Sequence, residues 1–511
     1  MKQNQTTTGE QQSRVEAVRG LQTAAADCAA GMTRRALLRT AGLLLVAESL
    51  PELARAAIPQ ISSVMSTLSA YMAEAGGRAL PENVSELTKQ HVLDTFAAMI
   101  SGSRLGPGQA ALKFAAGYGG TGPCSIAAST LRQGAMEAAM TNGMLAHSDE
   151  TDDSHSPSLS HPGCAVVPAA WAVGEQFAVD GPRLLRAVAL GYDIGPRVTT
   201  TLGAIQYQAQ SHRSSHAIAG AFGAAAAAGC CGSLNAPQMR WLLDYTAQQT
   251  SGIAAWQRDT EHIEKAFVFG GMPARAGVTS AIVVRSGWSG VSDILSGSDN
   301  FLAAFAPGTN PEGLIDQLGM RYEVQRTNIK KWSVGSPIQA SLDALEILTR
   351  QYGIHAQQVA TIRVRVAAQE ASVVDNREMP DVCLQHLVAV MLMDGTVSFD
   401  AAHDVGRMSN PATLQQRAKV TLIPDKELDF LLPRREAIIE VKLTDGRSLV
   451  QRVEDVRGTA ENPMTWDEVE RKSRDLIAPV LGTAKTTQLL EKVHSLESCK
   501  DIREFRNVLQ T

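Results

Sequence analysis

The sequence predicts a mainly α protein, built from a large all-helical domain and a smaller α+β domain. Between residues 58 and about 320, apolar residues recur at helical spacing, as in ISSVMSTLSAYMAEA. Farther along, ATIRVRVA (360–367) alternates apolar and basic residues, and EAIIEVKLTDGRSLVQRVE (436–454) contains two such runs joined at Asp445-Gly446. Alternation of this kind indicates strands, and Asp-Gly is a strong hairpin signal. Helices and strands are therefore expected in separate parts of the chain.

Residues 1–56 are interpreted as a disordered polar tail followed by an export signal. Thr33-Arg34-Arg35 precedes a short apolar stretch from about Ala41 to Ala47, an order that resembles a twin-arginine signal peptide. This stretch is far shorter than the roughly 20 apolar residues of a membrane-spanning helix, so no stable membrane span is expected. Ala54-Arg55-Ala56 offers small residues to a signal peptidase, which predicts cleavage after Ala56 and a periplasmic location. The alternative is an amphipathic N-terminal helix that is never cleaved.

Residues 57–325 are predicted to form the helical domain. One of its segments, HAIAGAFGAAAAAG (216–229), consists almost entirely of small residues. A helix of this composition lets neighbouring helices approach closely, so we expect it at the centre of the domain.

Residues 326–457 are predicted to form the α+β domain, with DVCLQHLVAVMLMDG (381–395) as a buried helix between the strands. The segment that follows, 458–511, is helical again, as TWDEVERKSRDLIAPVL shows. We expect this tail to return to the helical domain.

The composition excludes several classes of function. The apolar fraction is 44% and the formal net charge is −5, with no basic run interleaved with aromatic residues, so nucleic acid is not an expected partner. The seven cysteines show no C-x-x-C spacing. A disulfide framework, an iron–sulfur cluster and a thiolate zinc site are therefore not expected.

One loop, HSDETDDSHSPSLSHPG (147–163), concentrates four acidic residues and three histidines in a chain that is only 19% charged. Three interpretations are open. The loop could be a solvated acidic turn, a histidine–carboxylate metal site, or an acid–base and substrate-binding loop, since imidazole beside carboxylate is a usual arrangement for shifting pKa values.

Three other segments place polar residues beside apolar helices. SHRSSHAIAG (211–220) precedes the small-residue helix, whose N-terminus would favour an anion. DTEHIEKAFVFGGMPARAG (259–277) carries Lys265, and NIKKWSVGSPIQASLDA (328–344) carries Lys330. Each alone is compatible with a capped helix and a surface lysine. Together with the loop they would form a cationic, histidine-rich pocket suited to a di- or tricarboxylate.

From about residue 60 to the C-terminus, the chain resembles the MmgE/PrpD family, which includes 2-methylcitrate dehydratase and cis-aconitate decarboxylase. NGMLAHSDETDDSHSPSLSHPGCAVVPAA resembles the family signature N-G-x-x-x-H-x-x-D-x-D-D-T-H…H-P, and HAIAGAFGAAAAAG, KAFVFGGMPARAG and LQHLVAVMLMDG follow in the family's order and spacing. The resemblance implies a large helical domain completed by the C-terminal tail, a smaller α+β lid, a homodimer, and no metal or organic cofactor.

The resemblance also assigns site residues. Glu150 corresponds to the first aspartate of the signature, Ser154 to its threonine and His161 to its distal histidine. The family's cationic positions fall on Lys265 and Lys330.

Two positions depart from the family pattern. The family's histidine before the small-residue helix falls at about Ser214, with His216 two residues on, and the tyrosine of the decarboxylase corresponds to His386. These departures leave dehydration, epimerisation or isomerisation, and decarboxylation open.

The expected function is that of a cofactor-independent, 2-methylcitrate dehydratase-like lyase that removes a proton α to a carboxylate of a small di- or tricarboxylate. We expect His161 to carry one proton and His216 or His386 to carry the other. Glu150 and Asp153 would orient these imidazoles or remain charged in the site. Lys265, Lys330, Ser154 and Ser214 would bind the substrate. A periplasmic polycarboxylate receptor without turnover and a metal-dependent hydrolase are the alternatives from other classes.

Overall fold

Helices dominate the described part of the chain. The computed structural model describes residues 61–511, so the expected tail and export signal lie outside the described residues. The helices are Ser63–Glu74 (α1), Glu82–Gly102 (α2), Gly106–Tyr118 (α3), Ala135–Ala146 (α4), Gly163–Phe177 (α5), Gly181–Leu202 (α6), Ala204–Ser211 (α7), Ser215–Cys231 (α8), Ala236–Gln249 (α9), Ile263–Ala266 (α10), Met272–Arg285 (α11), Phe301–Phe305 (α12), Ser336–Tyr352 (α13), Ala368–Val374 (α14), Leu384–Asp394 (α15), Phe399–His403 (α16), Pro411–Arg417 (α17), Lys426–Asp429 (α18), Trp466–His494 (α19) and Arg506–Leu509 (α20). The strands are Cys124–Ser125 (β1), Arg132–Gln133 (β2), Val359–Ala367 (β3), Val420–Asp425 (β4), Ala437–Leu443 (β5) and Ser448–Val453 (β6).

The larger hydrophobic core is centred on α8. All of this helix is buried, and it packs against α5, α6 and α11. The approach to α6 is close: a Cβ added at Gly195 would lie 2.3 Å from the carbonyl oxygen of Ala219. Small residues are required at this crossing because any side chain would separate the two helices. The central position expected from the composition of α8 is the position that the structure shows.

The smaller hydrophobic core, which we call the lid, extends from Trp332 to Val456. Its sheet has the order β4-β3-β5-β6, in which β3 and β4 are parallel and the other neighbours are antiparallel. Ile362 and Val364 of β3 are buried, as the alternation of the sequence predicts, and α13 packs on β5 and β6. The predicted fold class, mainly α with a smaller α+β domain, is confirmed.

The C-terminal helix α19 leaves the lid and packs on α2 in the larger core. It breaks at Gly482, where φ is 79°. The buried ammonium of Lys472 donates to Asp94 Oδ1 of α2 at 2.6 Å and to the carbonyl oxygen of Thr151 at 3.0 Å. The C-terminal segment therefore holds both a core helix and the polar loop at residues 147–163.

One helical stretch, Ile263–Arg285, is long and apolar enough to span a membrane. It comprises α10, a π-helical turn and α11, and most of it is buried inside the protein. Burial of this kind is typical of a core helix.

We predict that Lys472→Met destabilises the protein by about 3 to 5 kcal/mol, because it leaves the Asp94 carboxylate buried without its partner. The free energy of unfolding from urea titrations measures this effect. Lys500→Met, an exposed change in the same C-terminal segment, is the matched control and should change stability very little.

The double variant Asp94→Asn with Lys472→Met should recover much of the loss, because it removes the uncompensated charge. Equal stability of Lys472→Met and the wild type would contradict the importance of this pair.

Candidate active site

The acidic loop at residues 147–163 is folded into the protein. Asp149, Glu150, Asp152 and Asp153 are all buried, which excludes the solvated-turn interpretation. The backbone of Ser154 pairs with that of Asn328, and the N–H of His155 donates to the carbonyl oxygen of Ser160 at 2.8 Å. These contacts fix the loop beside the segment that leads into the lid.

His155 stabilises the fold of this loop through both of its ring nitrogens. Its Nδ1 lies 2.7 Å from the hydroxyl of Ser158, and its Nε2 lies 3.1 Å from Glu323 Oε2. Both ring nitrogens are therefore occupied by neighbouring side chains.

Asp153 holds the loop against the helical core. Its carboxylate accepts from the hydroxyl of Tyr192 at 2.5 Å and from the backbone N–H of Gly163 at 2.9 Å, and it lies 2.8 Å from Nδ1 of His91. We expected this carboxylate to orient the imidazoles of the site or to remain charged there. The structure instead directs it toward α2, α6 and the start of α5.

Asp152, one residue earlier, is the carboxylate that orients two site imidazoles. Its Oδ2 lies 2.9 Å from Nδ1 of His147, and its Oδ1 lies 3.2 Å from Nδ1 of His161. Burial opposes its ionisation, but the two imidazoles outweigh this effect and hold the pKa of Asp152 well below its usual range. Asp152 was not among the predicted site residues, since nothing in the local sequence pattern distinguishes it from Asp153.

Glu150 bridges the two lysines predicted to bind substrate. Its Oε1 pairs with Lys265 Nζ, and its Oε2 lies 3.2 Å from Lys330 Nζ, which also donates to the Glu150 carbonyl oxygen at 2.9 Å. Burial opposes ionisation of Glu150, yet the two ammonium groups hold its pKa well below the usual range. Burial likewise opposes the charge on Lys330, but Glu150 and Asp152 raise its pKa above the ordinary value.

Phe269 forms the wall against which the imidazoles pack. Its ring stacks on His216 with centroids 4.0 Å apart and on His147 with centroids 4.6 Å apart. It lies in the π-helical turn Phe267–Gly271, where Gly270 packs so closely on α4 that an added Cβ would lie 2.0 Å from the carbonyl oxygen of Gly143. Single π-turns of this kind are frequent at functional sites.

Burial keeps the imidazoles of His161, His216 and His262 neutral. Burial lowers the pKa of His161 to about 4, although the nearby Asp152 acts in the opposite direction. Burial is also the main cause that lowers the pKa values of His216 and His262 far below the histidine range, and neighbouring imidazoles and Lys265 add to it. At neutral pH each of these rings keeps one N–H that can donate a hydrogen bond, and its other nitrogen can accept a proton.

Several buried nitrogens in the cluster lack a hydrogen-bond partner among residues 61–511. They are His147 Nε2, His216 Nδ1, both ring nitrogens of His262 and Trp256 Nε1. Buried polar atoms are nearly always paired, so these atoms indicate a place for a polar ligand. His262 and Trp256 carried no signal in the sequence that would have selected them.

The lid adds two groups, His403 and Asp381, that were not among the predicted site residues. His403 of α16 places Nε2 2.9 Å from Asp149 Oδ2, in an ion pair that is not aligned as a hydrogen bond, while its Nδ1 donates to the Phe399 carbonyl oxygen. Burial disfavours the charged ring, but Asp149 outweighs it and raises the pKa of His403 to about 9. Burial raises the pKa of Asp381 to about 6, with Glu150 and Asp149 contributing in the same direction.

The structure brings together five of the predicted residues: Glu150, His161, His216, Lys265 and Lys330. Three others have different surroundings. The hydroxyl of Ser214 accepts from the N–H of Ala217 and caps α8, and Ser154 is held through its backbone. His386 lies in α15, and the charges that act on it belong to the lid, namely Arg417, Arg407 and Asp404.

Two cavities lie along the boundary between the lid and the larger core. The smaller, of about 250 Å³, is lined by Ser154 and Lys330 among others, and the larger, of about 370 Å³, by Lys472 and Phe399 among others. Neither reaches His161, His216 or Lys265.

Among the described residues, two sets of three side chains could each supply ligands to a metal ion. They are His147, Asp152 and His161, and His147, Glu150 and His262, each with ligand atoms within 4.8 Å of one another. In the first group, both Asp152 oxygens already face imidazole nitrogens.

Comparison with known proteins agrees with this architecture. Residues 66–314 match the MmgE/PrpD N-terminal domain, and residues 332–497 match the MmgE/PrpD C-terminal domain. A cis-aconitate decarboxylase-like protein of Aspergillus oryzae is 24% identical over 87% of this chain and 96% of its own length. The cis-aconitate decarboxylase of Aspergillus terreus is 24% identical over 84% of this chain and 92% of its own, and that of Homo sapiens is 23% identical over 84% and 91%. The two domain matches together cover most of the chain, which therefore belongs to the MmgE/PrpD family of enzymes.

Proposed function

We propose that the protein is a cofactor-independent lyase that acts on a small tricarboxylate by removing a proton α to a carboxylate. The observation that carries this proposal is the pair formed by the partly buried Lys265 and the buried Lys330, which brackets one buried carboxylate beside the imidazole cluster. The relatives named cis-aconitate decarboxylase support a tricarboxylate as the substrate class.

Substrate binding would use the contacts that Glu150 now makes. Each oxygen of its carboxylate faces a different lysine, which is the arrangement that a substrate carboxylate needs. The incoming anion would displace Glu150 from at least one ammonium. The unpartnered nitrogens of His216 and Trp256 would then meet the remaining oxygens of the substrate.

Proton abstraction falls to His161. Its neutral ring accepts the proton from carbon, and Asp152 at Nδ1 stabilises the imidazolium that forms. The electron pair left on carbon is stabilised through the carboxylate held by the two lysines. In a dehydration this pair becomes the new carbon–carbon double bond as the β-hydroxyl group leaves, taking a proton from Asp381, so that one water is released.

Asp381 suits the role of acid because its pKa of about 6 leaves it partly protonated near neutrality. It lies in the lid, so closing the lid over the larger core would complete the acid–base pair. His216 is the other candidate for this role. Its low pKa means that it would have to receive the proton before donating it.

Decarboxylation is the second candidate, and the names of the relatives favour it. In that reaction a carboxylate would leave as CO₂ and a proton would be added to carbon. Lys265 and Lys330 would have the same role, because negative charge again develops beside a carboxylate. Epimerisation would begin with the same abstraction of the α-proton as dehydration, but it would return a proton to the opposite face of that carbon and release no group.

One experiment distinguishes these reactions and also the receptor without turnover. The protein, dialysed against EDTA, is incubated with a panel of di- and tricarboxylates in deuterated water and followed by NMR and by CO₂ release. A dehydratase forms an alkene, a decarboxylase forms CO₂ with deuterium on carbon, and an epimerase exchanges deuterium without loss of atoms. Binding without any product or exchange would establish the receptor, and activity that returns only with added metal would contradict cofactor independence.

We also propose that the protein is exported to the periplasm and is a homodimer there. The first proposal rests on the twin-arginine pattern at Thr33-Arg34-Arg35 and the second on the family resemblance. Light scattering on the purified protein tests the dimer.

We predict that Lys265→Met and Lys330→Met each lower kcat/KM about ten- to a hundredfold or more. A charged hydrogen bond of this kind is worth roughly 1.5 to 3 kcal/mol, and each factor of ten is about 1.4 kcal/mol. Steady-state kinetics measures the change, with thermal melts to verify folding.

Lys331→Met is the matched control for the lysine variants. This neighbouring lysine pairs with Glu346 and Asp343 of the lid, so its removal should leave kcat/KM close to the wild-type value. Wild-type kinetics in both site variants would remove Lys265 and Lys330 from the substrate site.

We predict a bell-shaped dependence of kcat/KM on pH. Activity should fall as the pH drops through about 4, where His161 becomes protonated, and as it rises through about 6, where Asp381 loses its proton. His161→Asn should lower kcat by about 10²- to 10⁴-fold and abolish the acid limb. Asp381→Asn should abolish the other limb.

The exposed lid histidine provides the control: His355→Asn should change neither limb. Circular dichroism at each pH separates a catalytic limb from unfolding. If His161→Asn lowers the melting temperature but keeps the shape of the profile, His161 is a structural residue.

We predict that Arg34→Lys with Arg35→Lys leaves uncleaved precursor in the cytoplasm, because the twin-arginine pathway reads the arginine pair. Arg39→Lys, outside the pair, is the control and should be processed normally. Cell fractionation and the N-terminal sequence of the product measure both. Normal processing of the double variant would rule out this route.

A further inference from the structure

His262 is a buried imidazole with no hydrogen bond to the described part of the chain. Both ring nitrogens are unpartnered although the residue is only 4% exposed. Its backbone is in the left-handed region, with φ at 62°, directly before α10. A non-glycine residue is uncommon in this region, so holding the ring in the cluster costs conformational free energy.

His147 is oriented for binding through its free nitrogen. Nδ1 lies 2.9 Å from Asp152 Oδ2, which leaves the buried Nε2 without a partner among residues 61–511. A carboxylate at one nitrogen of an imidazole is the usual arrangement around a metal-binding histidine, because it fixes the ring and the tautomer. The His147 and His262 rings lie with centroids 5.1 Å apart.

Glu150 completes the set, since one ligand atom from each of His147, Glu150 and His262 lies within 4.8 Å of the others. We infer that these three side chains form a binding site for one divalent transition-metal ion, such as Zn²⁺. Two imidazoles and one carboxylate suit zinc and similar ions, whereas Mg²⁺ and Ca²⁺ favour oxygen ligands. Three protein ligands also leave a coordination position open.

The alternative group, His147 with Asp152 and His161, is the weaker candidate. Each oxygen of the Asp152 carboxylate already contacts one imidazole, of His147 or of His161. The ring nitrogens of His262, in contrast, have no hydrogen-bond partner among residues 61–511.

The bound ion would compete with the two lysines for Glu150. Lys265 and Lys330 pair with this carboxylate in the structure, so the cation must displace or neutralise at least one ammonium. The ion would also occupy the space where a substrate carboxylate binds. It would therefore act as an inhibitor of a reaction that needs no metal. Binding of the ion itself does not depend on which reaction the enzyme performs.

Calorimetric titration of the EDTA-treated full chain with ZnCl₂, after removal of the chelator, tests the site. We expect about one Zn²⁺ per chain and a higher melting temperature with bound metal. His262→Asn should weaken binding by more than the roughly 10- to 100-fold that loss of an orienting partner costs. Lys265→Met should strengthen binding, because it removes the competing ammonium.

Two controls make the assignment specific. His355→Asn removes an exposed imidazole and should leave the affinity unchanged, which separates the site from adventitious surface binding. His161→Asn should keep the affinity, whereas loss of binding there would assign the ion to the alternative group. If His262→Asn does not fold, Glu150→Gln tests the same prediction.

Absence of binding at millimolar Zn²⁺ would overturn the inference, as would wild-type affinity in both His262→Asn and Glu150→Gln. Because calorimetry does not require turnover, this result is independent of the test of the proposed reaction.

Discussion

The pairing of one buried carboxylate with two ammonium groups, one buried and one partly buried, is the interaction on which the site depends. Glu150 contributes the carboxylate, Lys265 comes from the larger core, and Lys330 lies where the chain enters the lid. Each charge alone would be costly to bury, and removing one partner would leave the others uncompensated. The pairing therefore joins the acidic loop to both parts of the fold, and in the proposed reaction it would present two cations to the substrate.

Burial sets the chemistry of the surrounding groups. The same desolvation that keeps His161 neutral keeps Asp381 partly protonated, so a base and an acid coexist near the lysine pair. The substrate's negative charge would raise the pKa of His161 once it binds, which favours proton transfer to the ring. His403 differs because Asp149 compensates its charge, and it thus contributes a stable cation from the lid.

Much of the fold followed from the sequence, because helices and strands leave periodic patterns as each buries one face. The central place of α8 was predictable from its small residues. The lysines were selected by their polar segments together with the family resemblance, since each segment alone is compatible with a surface lysine. The finer geometry of the site was not predictable from the sequence. Asp152 and Asp153 are adjacent aspartates of one polar loop, yet one faces the imidazoles and the other faces Tyr192 and His91.

Residues that reach the site through tertiary packing left no local signal. His262, Asp381 and His403 are isolated in the sequence, and only the docking of α10 and of the lid brings them to the loop. Conversely, His386 was selected by correspondence with a family position, and it lies among the charges of the lid.

The most direct test of the central claim is a crystal structure with propane-1,2,3-tricarboxylate, a saturated tricarboxylate that lacks the hydroxyl group needed for dehydration. The account predicts one ligand carboxylate between Lys265 and Lys330, with Glu150 displaced from at least one of them and His161 facing a ligand carbon. A ligand bound elsewhere, with the contacts of Glu150 to both lysines intact, would contradict it.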